Sequence, residues 1–205
     1  MTKDPFNVVV TGVGGQGNVI ASLLIGAMLV DQGYKVTIGE TYGASQRGGS
    51  VMSHVRISRT QQLGPLMPPG VADLVIALEP SEAARVLGTL GNPSTVSVVN
   101  TRPVHPVDVI CGDLPYPDLA ELFAKIDSLS RESYFISATD SALELGNPIL
   151  ANIVLLGAVA GANLLPISRE GLEKAVSEYM SPDKVAINTE AFVRGIDLVR
   201  GRARD

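Results

Sequence analysis

Near the start of the chain, four glycines in six positions, within Thr11-Gly-Val-Gly-Gly-Gln-Gly17, separate a short apolar stretch from a long apolar-periodic one. Phe6 to Val10 reads as a buried strand. From Asn18 to Gln32 the apolar residues Val19, Ile20, Leu23, Leu24, Ala27, Met28 and Val30 cover more than one face, as in a helix laid on a sheet. Gly33 ends that helix, and Tyr34 to Ile38 reads as a second strand. Strand, glycine turn, helix and strand form a βαβ unit, which predicts a parallel sheet with a right-handed crossover. The spacing of Gly12, Gly14 and Gly17 satisfies the dinucleotide-binding fingerprint, with Gly15 and Gln16 in its variable positions.

The α/β rhythm continues along the chain. Gly39 to Ser50 is a polar loop, and Val51 to Ile57 alternates with period two, a strand with no helix before it. That departs from the standard dinucleotide domain. After a Pro/Gly-rich turn come strand Ala72 to Leu78, helix Ser81 to Leu87 and strand Thr95 to Asn100. Prolines at 103, 106, 115 and 117 bracket Val107 to Cys111, which predicts an edge strand or surface arm. A helix over Asp118 to Leu129, a strand over Tyr134 to Ala138 and a short helix over Thr139 to Leu145 follow. The last third reads as helical, with Ser168 and Ser181-Pro182 as helix starts. Asn147 to Ser168 has no charge, but its Asn, Gly and Pro residues cut the apolar part below the ~20 residues of a membrane span, so a buried helix is expected. The fold class is therefore α/β: a Rossmann-like, mostly parallel sheet flanked by helices, one domain over residues 1–205 with a helical C-terminal part.

Composition narrows the function. A net charge of −5 without a basic patch argues against nucleic acid, where phosphates need clustered Lys and Arg. With 45% hydrophobic and 18% charged residues, the chain is slightly poor in charge, which points to surface covered by a partner. Cys111 is the only cysteine, so this chain alone builds no disulfide, cysteine-ligated iron–sulfur cluster or cysteine-rich zinc site. It is expected to be a small buried hydrophobe. The opening residues lack a signal peptide's apolar core, which favours the cytoplasm. His54 and His105 lie in different elements without ligands at metal spacing, so no metal site is expected, and His54 reads as a half-exposed strand residue.

Two segments carry candidate chemistry. The glycine turn places free backbone N–H groups at a helix N-terminus, where the peptide dipoles favour an anion; alternatively the glycines only permit close packing. Gln16 adds an amide able to face a ligand or another chain. Thr41 to Ser50 combines Ser45, Gln46 and Arg47 with Gly48 and Gly49, and Arg47 is suited to clamp a carboxylate or phosphate. Glu40 stands about 20 residues beyond the last fingerprint glycine, where an NAD-binding fold keeps its ribose-binding carboxylate, or else it pairs with Arg47 or a partner. No nucleophile elbow, Walker lysine or Ser/His/Asp order is present.

Taken together, Gly12-Val-Gly-Gly-Gln-Gly17, Tyr42-Gly-Ala-Ser-Gln-Arg-Gly-Gly-Ser50 and Ala72-Asp-Leu-Val-Ile-Ala-Leu-Glu-Pro80 resemble the gamma-subunit family of 2-oxoacid:ferredoxin oxidoreductases over nearly the whole chain. Asn100 to Pro106, Tyr116-Pro117 and Ser181 to Phe192 are similar to its small-subunit branch that serves indolepyruvate oxidation. The resemblance implies a large partner subunit carrying thiamine diphosphate and iron–sulfur clusters. That assembly would decarboxylate an arylpyruvate, pass electrons to ferredoxin and transfer the acyl group to coenzyme A. By the same resemblance, this chain would hold no catalytic residue. Gly12, Gly14, Gly15, Gln16 and Gly17 would meet a coenzyme A anion or the partner, Arg47 would clamp an anion, and Ser45 and Gln46 would orient it. The competing readings are a free-standing NAD-dependent dehydrogenase and a nucleotide-binding regulatory protein.

Overall fold

A computed structural model of the chain describes residues 3–42, 49–105, 107–113 and 115–202. Six strands form one sheet: β1 (Phe6–Val13), β2 (Lys35–Tyr42), β3 (Ser50–Ser58), β4 (Leu74–Ala77), β5 (Val96–Asn100) and β6 (Glu132–Ile136), in the order β2-β3-β1-β4-β5-β6. β1, β4, β5 and β6 run parallel, whereas β3 is antiparallel to both of its neighbours. β2 also runs parallel to β1, as the βαβ reading expects, but the two are not neighbours, because β3 lies between them. The connection between Tyr42 and Ser50 is too short for a crossover, which takes about a dozen residues, so β2 and β3 close as an antiparallel pair. β3 then pairs with β1 along its full length, from Phe6↔Ile57 to Val13↔Ser50.

Helices cover both faces. α1 (Asn18–Val30) packs on one side with α5 (Ala138–Glu144), α6 (Ala151–Gly161), α7 (Arg169–Tyr179) and α8 (Val185–Arg202), around a core that includes Leu24, Ile25, Ile76, Val154 and Phe192. On the other side α2 (Pro80–Leu90) and α4 (Leu119–Ser128) close a smaller core of Val75, Val86, Leu122 and Ile126. β1, buried from Asn7 to Val13 and apolar at Val8, Val9, Val10 and Val13, has both faces covered, as central parallel strands do. The charge-free segment forms a 3-10 turn at Pro148–Leu150 and then α6, which is buried from Ala151 to Val159 and ends before Asn163, a residue with φ of 55°. Of the two serine helix starts, Ser168 caps α7, its hydroxyl accepting the Gly171 N–H, whereas Ser181 makes no side-chain capping bond and precedes a 3-10 turn at Pro182–Lys184; the Asp118 carboxylate accepts the N–H groups of Ala120 and Glu121 at the start of α4.

Two further expectations are corrected. Val107 to Cys111 is not extended; Val107–Ile110 forms the single turn α3, closed by the Gly112 N–H donating to the Val109 carbonyl. The prolines exclude a long helix there, but one turn fits between them. Cys111, read as buried, is exposed on this arm. Among the described residues, no helix is long and apolar enough to cross a membrane.

Candidate functional site

The C-terminal ends of β1, β4 and β5 open on the same edge of the sheet, where the glycine turn lies. Because β3 supplies a partner as far as Val13, β1 runs on through Gly12, which is a strand residue facing Val51. A Cβ on Gly12 would sit 2.7 Å from Gln16 Oε1 and 2.9 Å from the Leu78 Cβ, so only glycine fits that packing. Gln16 Oε1 accepts the Val13 N–H at 2.7 Å, and its Nε2 donates to the Leu78 carbonyl at 2.9 Å. The amide thus bridges the ends of β1 and β4. Since α1 covers one face of the sheet and α2 the other, this is the topological switch point where open α/β sheets place their ligands. Here the Gln16 amide occupies it and leaves a cavity of about 220 Å³ alongside. Gln16, expected to turn its amide outward, makes these two bonds inside the fold. A sequence specifies an amide but not its direction.

Beyond that plug the turn faces outward. Gly17, at φ of 84°, is the N-cap of α1 and has no side chain to cap with, and the first turn of α1 holds no acidic residue. The N–H groups of Asn18, Val19 and Ile20 at this helix start find no acceptor among the described residues. A Cβ on Gly17 would lie 2.3 Å from Asn152 Nδ2, which instead donates to the Gly17 carbonyl at 3.2 Å. Gly14, Gly15 and Gly17 form one wall of a cavity of about 810 Å³ running between α1, α6 and the start of α8. Its other walls are mainly apolar, with Ile149, Ile153, Met180 and Ile187 prominent. Lys184 is the one cationic residue among its described lining residues.

The Gly14 N–H donates to the Gly49 carbonyl at 2.8 Å, so the turn is tied to the segment that follows the Ser45-Gln-Arg47 loop. Ser45, Gln46 and Arg47 themselves lie outside the described residues. Next to this tie, Glu82 Oε2 accepts Ser50 Oγ at 2.7 Å, Thr11 Oγ1 at 3.3 Å and Arg85 Nη2 at 2.6 Å. Arg85 Nη2 also donates to Ser50 Oγ at 2.7 Å, so Glu82 and Arg85 together hold the start of β3. Glu79, fully buried at the α2 N-cap, accepts the Glu82 N–H and the hydroxyls of Ser81 and Tyr116. Burial first, and then this carboxylate, push the Tyr116 phenol well above its ordinary value. Sequence reasoning missed this cluster, because its four elements meet only through the sheet order.

Glu40 lies on β2 opposite Ser53 of β3. It is two strand spacings, roughly 10 Å, from β1, whereas an NAD-binding fold carries its ribose carboxylate on the strand beside β1. His54, expected to be half-exposed, is only 4% exposed, and burial, helped by Arg56, lowers its pKa. His105 packs at 5.0 Å on the Tyr116 ring. Among the described residues, no group of three or more His, Cys, Asp or Glu is placed to hold a metal ion.

The fold and site define a Rossmann-like domain whose nucleotide crevice is occupied by its own glutamine and whose glycine turn opens instead on an apolar cavity. The chain belongs to the pyruvate ferredoxin/flavodoxin oxidoreductase family, whose model matches residues 7–198. The indolepyruvate oxidoreductase subunit IorB of Archaeoglobus fulgidus is 37% identical over 197 residues, 96% of each chain. The keto/oxoacid ferredoxin oxidoreductase gamma subunit of Geobacter sulfurreducens has a similar fold, with a TM-score of 0.67, 23% identity, and coverage of 96% of this chain and 99% of that one. So does a 2-oxoglutarate:ferredoxin oxidoreductase from Magnetococcus marinus, solved with 2-oxoglutarate, coenzyme A and succinyl-CoA bound; its TM-score is 0.74 at 24% identity, over 97% of this chain and 32% of that one. Family and strand order together set aside the free-standing NAD-dependent dehydrogenase.

Proposed function

We propose that this chain is the small subunit of an indolepyruvate, or more broadly arylpyruvate, ferredoxin oxidoreductase. The observation that carries this reading is the 37% identity to an indolepyruvate oxidoreductase subunit along almost the whole length of both chains. A large partner subunit would hold thiamine diphosphate and the iron–sulfur clusters, which supply decarboxylation and electron transfer. The donor set agrees with that division: one exposed cysteine cannot provide the four thiolates of a cluster. Loss of carbon dioxide from the 2-oxoacid and transfer of the acyl group to coenzyme A leave two electrons for ferredoxin.

The part of this chain would be to bind and orient. The N–H groups at the α1 start, set beside Gly14, Gly15 and Gly17, suit a phosphate of coenzyme A. Arg47 would add a second cation, with Ser45 and Gln46 orienting the group, and Gly12 and Gln16 would keep the turn in shape from behind. The assembly would work in the cytoplasm, where ferredoxin-type carriers and thiolate-ligated clusters stay reduced.

The test is reconstitution. The large subunit with this chain should reduce ferredoxin with indolepyruvate in a coenzyme A-dependent manner, faster than with phenylpyruvate, pyruvate or 2-oxoglutarate. Failure of this chain to co-purify with any large iron–sulfur subunit, or equal activity of that subunit without it, would refute the reading.

A further inference from the structure

The glycine turn has little of its own to hold it in one shape. Between Gly14 and Gly17 only Gln16 carries a side chain, and its amide is engaged behind the turn with Val13 and Leu78. The turn is tied to β3 by the bond from the Gly14 N–H to the Gly49 carbonyl, and glycine at both ends of that bond leaves the backbone its widest choice of conformations. Ser50, next to Gly49, is the first residue beyond the tie with a side chain that the fold can grip. Its hydroxyl lies 2.7 Å from both Glu82 Oε2 and Arg85 Nη2, donating to the carboxylate and accepting from the guanidinium, so its direction is fixed. Arg85 Nη2 closes the ring on Glu82 Oε2 at 2.6 Å. Glu82 is only 8% exposed, which keeps these bonds out of water.

The same carboxylate oxygen is reached by Thr11 Oγ1 from β1 at 3.3 Å, and Glu79 accepts the Glu82 N–H at 2.9 Å, which anchors α2 where Glu82 leaves it. The sheet does not need this arrangement. The β1–β3 ladder is complete from Phe6↔Ile57 to Val13↔Ser50 through backbone alone, and a buried carboxylate costs more to keep than an apolar side chain of its size. We propose that Ser50 and Glu82 are positioning residues for coenzyme A, acting through Gly49 to hold the wall from Gly14 to Gly17 in its binding shape before the ligand arrives. The inference rests on the reading that coenzyme A meets this turn. Neither Ser50 nor Glu82 is among the described residues lining the cavity, so both act through the backbone and not by contact. Pre-ordering a glycine turn lowers the entropy that binding must otherwise supply. Loss of the clamp therefore weakens coenzyme A binding and leaves the chemistry at the thiamine centre alone.

The test compares variants in the reconstituted complex. Ser50→Ala should raise the KM for coenzyme A about tenfold, the worth of about one charge-assisted hydrogen bond, and Glu82→Gln, which keeps an acceptor but loses the ion pair, about threefold. The KM for indolepyruvate and kcat at saturating coenzyme A should stay within about twofold. Ser50→Thr, which keeps the hydroxyl, should restore the KM for coenzyme A. Leu122→Ala, which loosens the α2–α4 core without touching Ser50, should leave it unchanged. In the chain alone, Ser50→Ala should speed hydrogen exchange at the Gly14 amide about tenfold while amides in the middle of β1 keep their rates. An equal rise in both KM values, or unchanged Gly14 exchange in Ser50→Ala, would overturn the proposal. Turnover independent of coenzyme A in the wild-type complex would refute the proposed function and this inference with it, whereas a wild-type dependence that both variants leave untouched would refute the inference alone.

Discussion

Gln16→Ala tests the central claim about the glycine turn. β4 ends at Ala77, so the Val13 N–H, which points to that side of β1, meets no ladder partner and relies on Gln16 Oε1 at 2.7 Å. Val13 is 3% exposed, and an amide donor stranded there costs about 1–3 kcal/mol. The Leu78 carbonyl also loses the Gln16 donor, but it keeps Asn100 Nδ2 at 3.1 Å, so that loss is about 1 kcal/mol or less. A small cavity of about 220 Å³ lined by Gly15, Gln16 and Leu78 admits water to the vacated position and offsets part of the cost. The expected net loss is about 2 kcal/mol, a melting temperature lower by about 4–8 °C for a chain of this size. Urea unfolding with an unchanged m-value measures it. Gln16→Glu, which keeps the acceptor but sets a carboxylate against the Leu78 carbonyl, should lose at least as much. A loss under about 0.5 kcal/mol in both variants would refute the internal bridge. If partner association weakened in the same variants, the amide would face outward, as the sequence alone suggests.

Two more outcomes follow from buried groups. Burial and Arg56 hold His54 below its ordinary value of 6.5, so the folded chain refuses a proton that the unfolded chain takes up. The stability this gives is fully present above pH 6.5 and declines as the pH drops toward the lower folded-state value; His54→Gln should flatten that part of a denaturation-midpoint profile, and an identical slope in the variant would contradict it. Tyr116→Phe leaves the fully buried Glu79 with Ser81 and Glu82 as its donors among the described residues and should cost about 2–3 kcal/mol in urea unfolding, whereas a neutral effect would mean that water replaces the phenol.

Most elements were legible because their signals are local. The apolar run of α1, the alternation in β3, the cap at Ser168 and the glycine turn each depend on residues within a few positions of one another. The arm at Val107–Ile110 was misjudged because proline density rules out a long helix without ruling out one turn. The exposure of Cys111 and the burial of His54 were misjudged because burial depends on what the rest of the chain places opposite.

By itself the sequence determined an α/β chain with a strand–glycine turn–helix corner, a helical C-terminal third and too few cysteines to hold a cluster. Tertiary structure decided the strand order, and with it the meaning of the fingerprint. Inserting β3 beside β1 carries Glu40 two strands away, and the sheet edge brings Leu78 within reach of Gln16. The Gln16 amide thereby narrows the crevice that holds a dinucleotide in other folds to a cavity of about 220 Å³, and the larger open space lies on the α1 side, between residues more than 130 positions apart such as Gly17 and Asn152. Hydrogen bonds at that sequence separation carry no periodic or local signature, so only the folded chain reveals that the Gln16 amide is used inside the protein and that Asn152 meets Gly17.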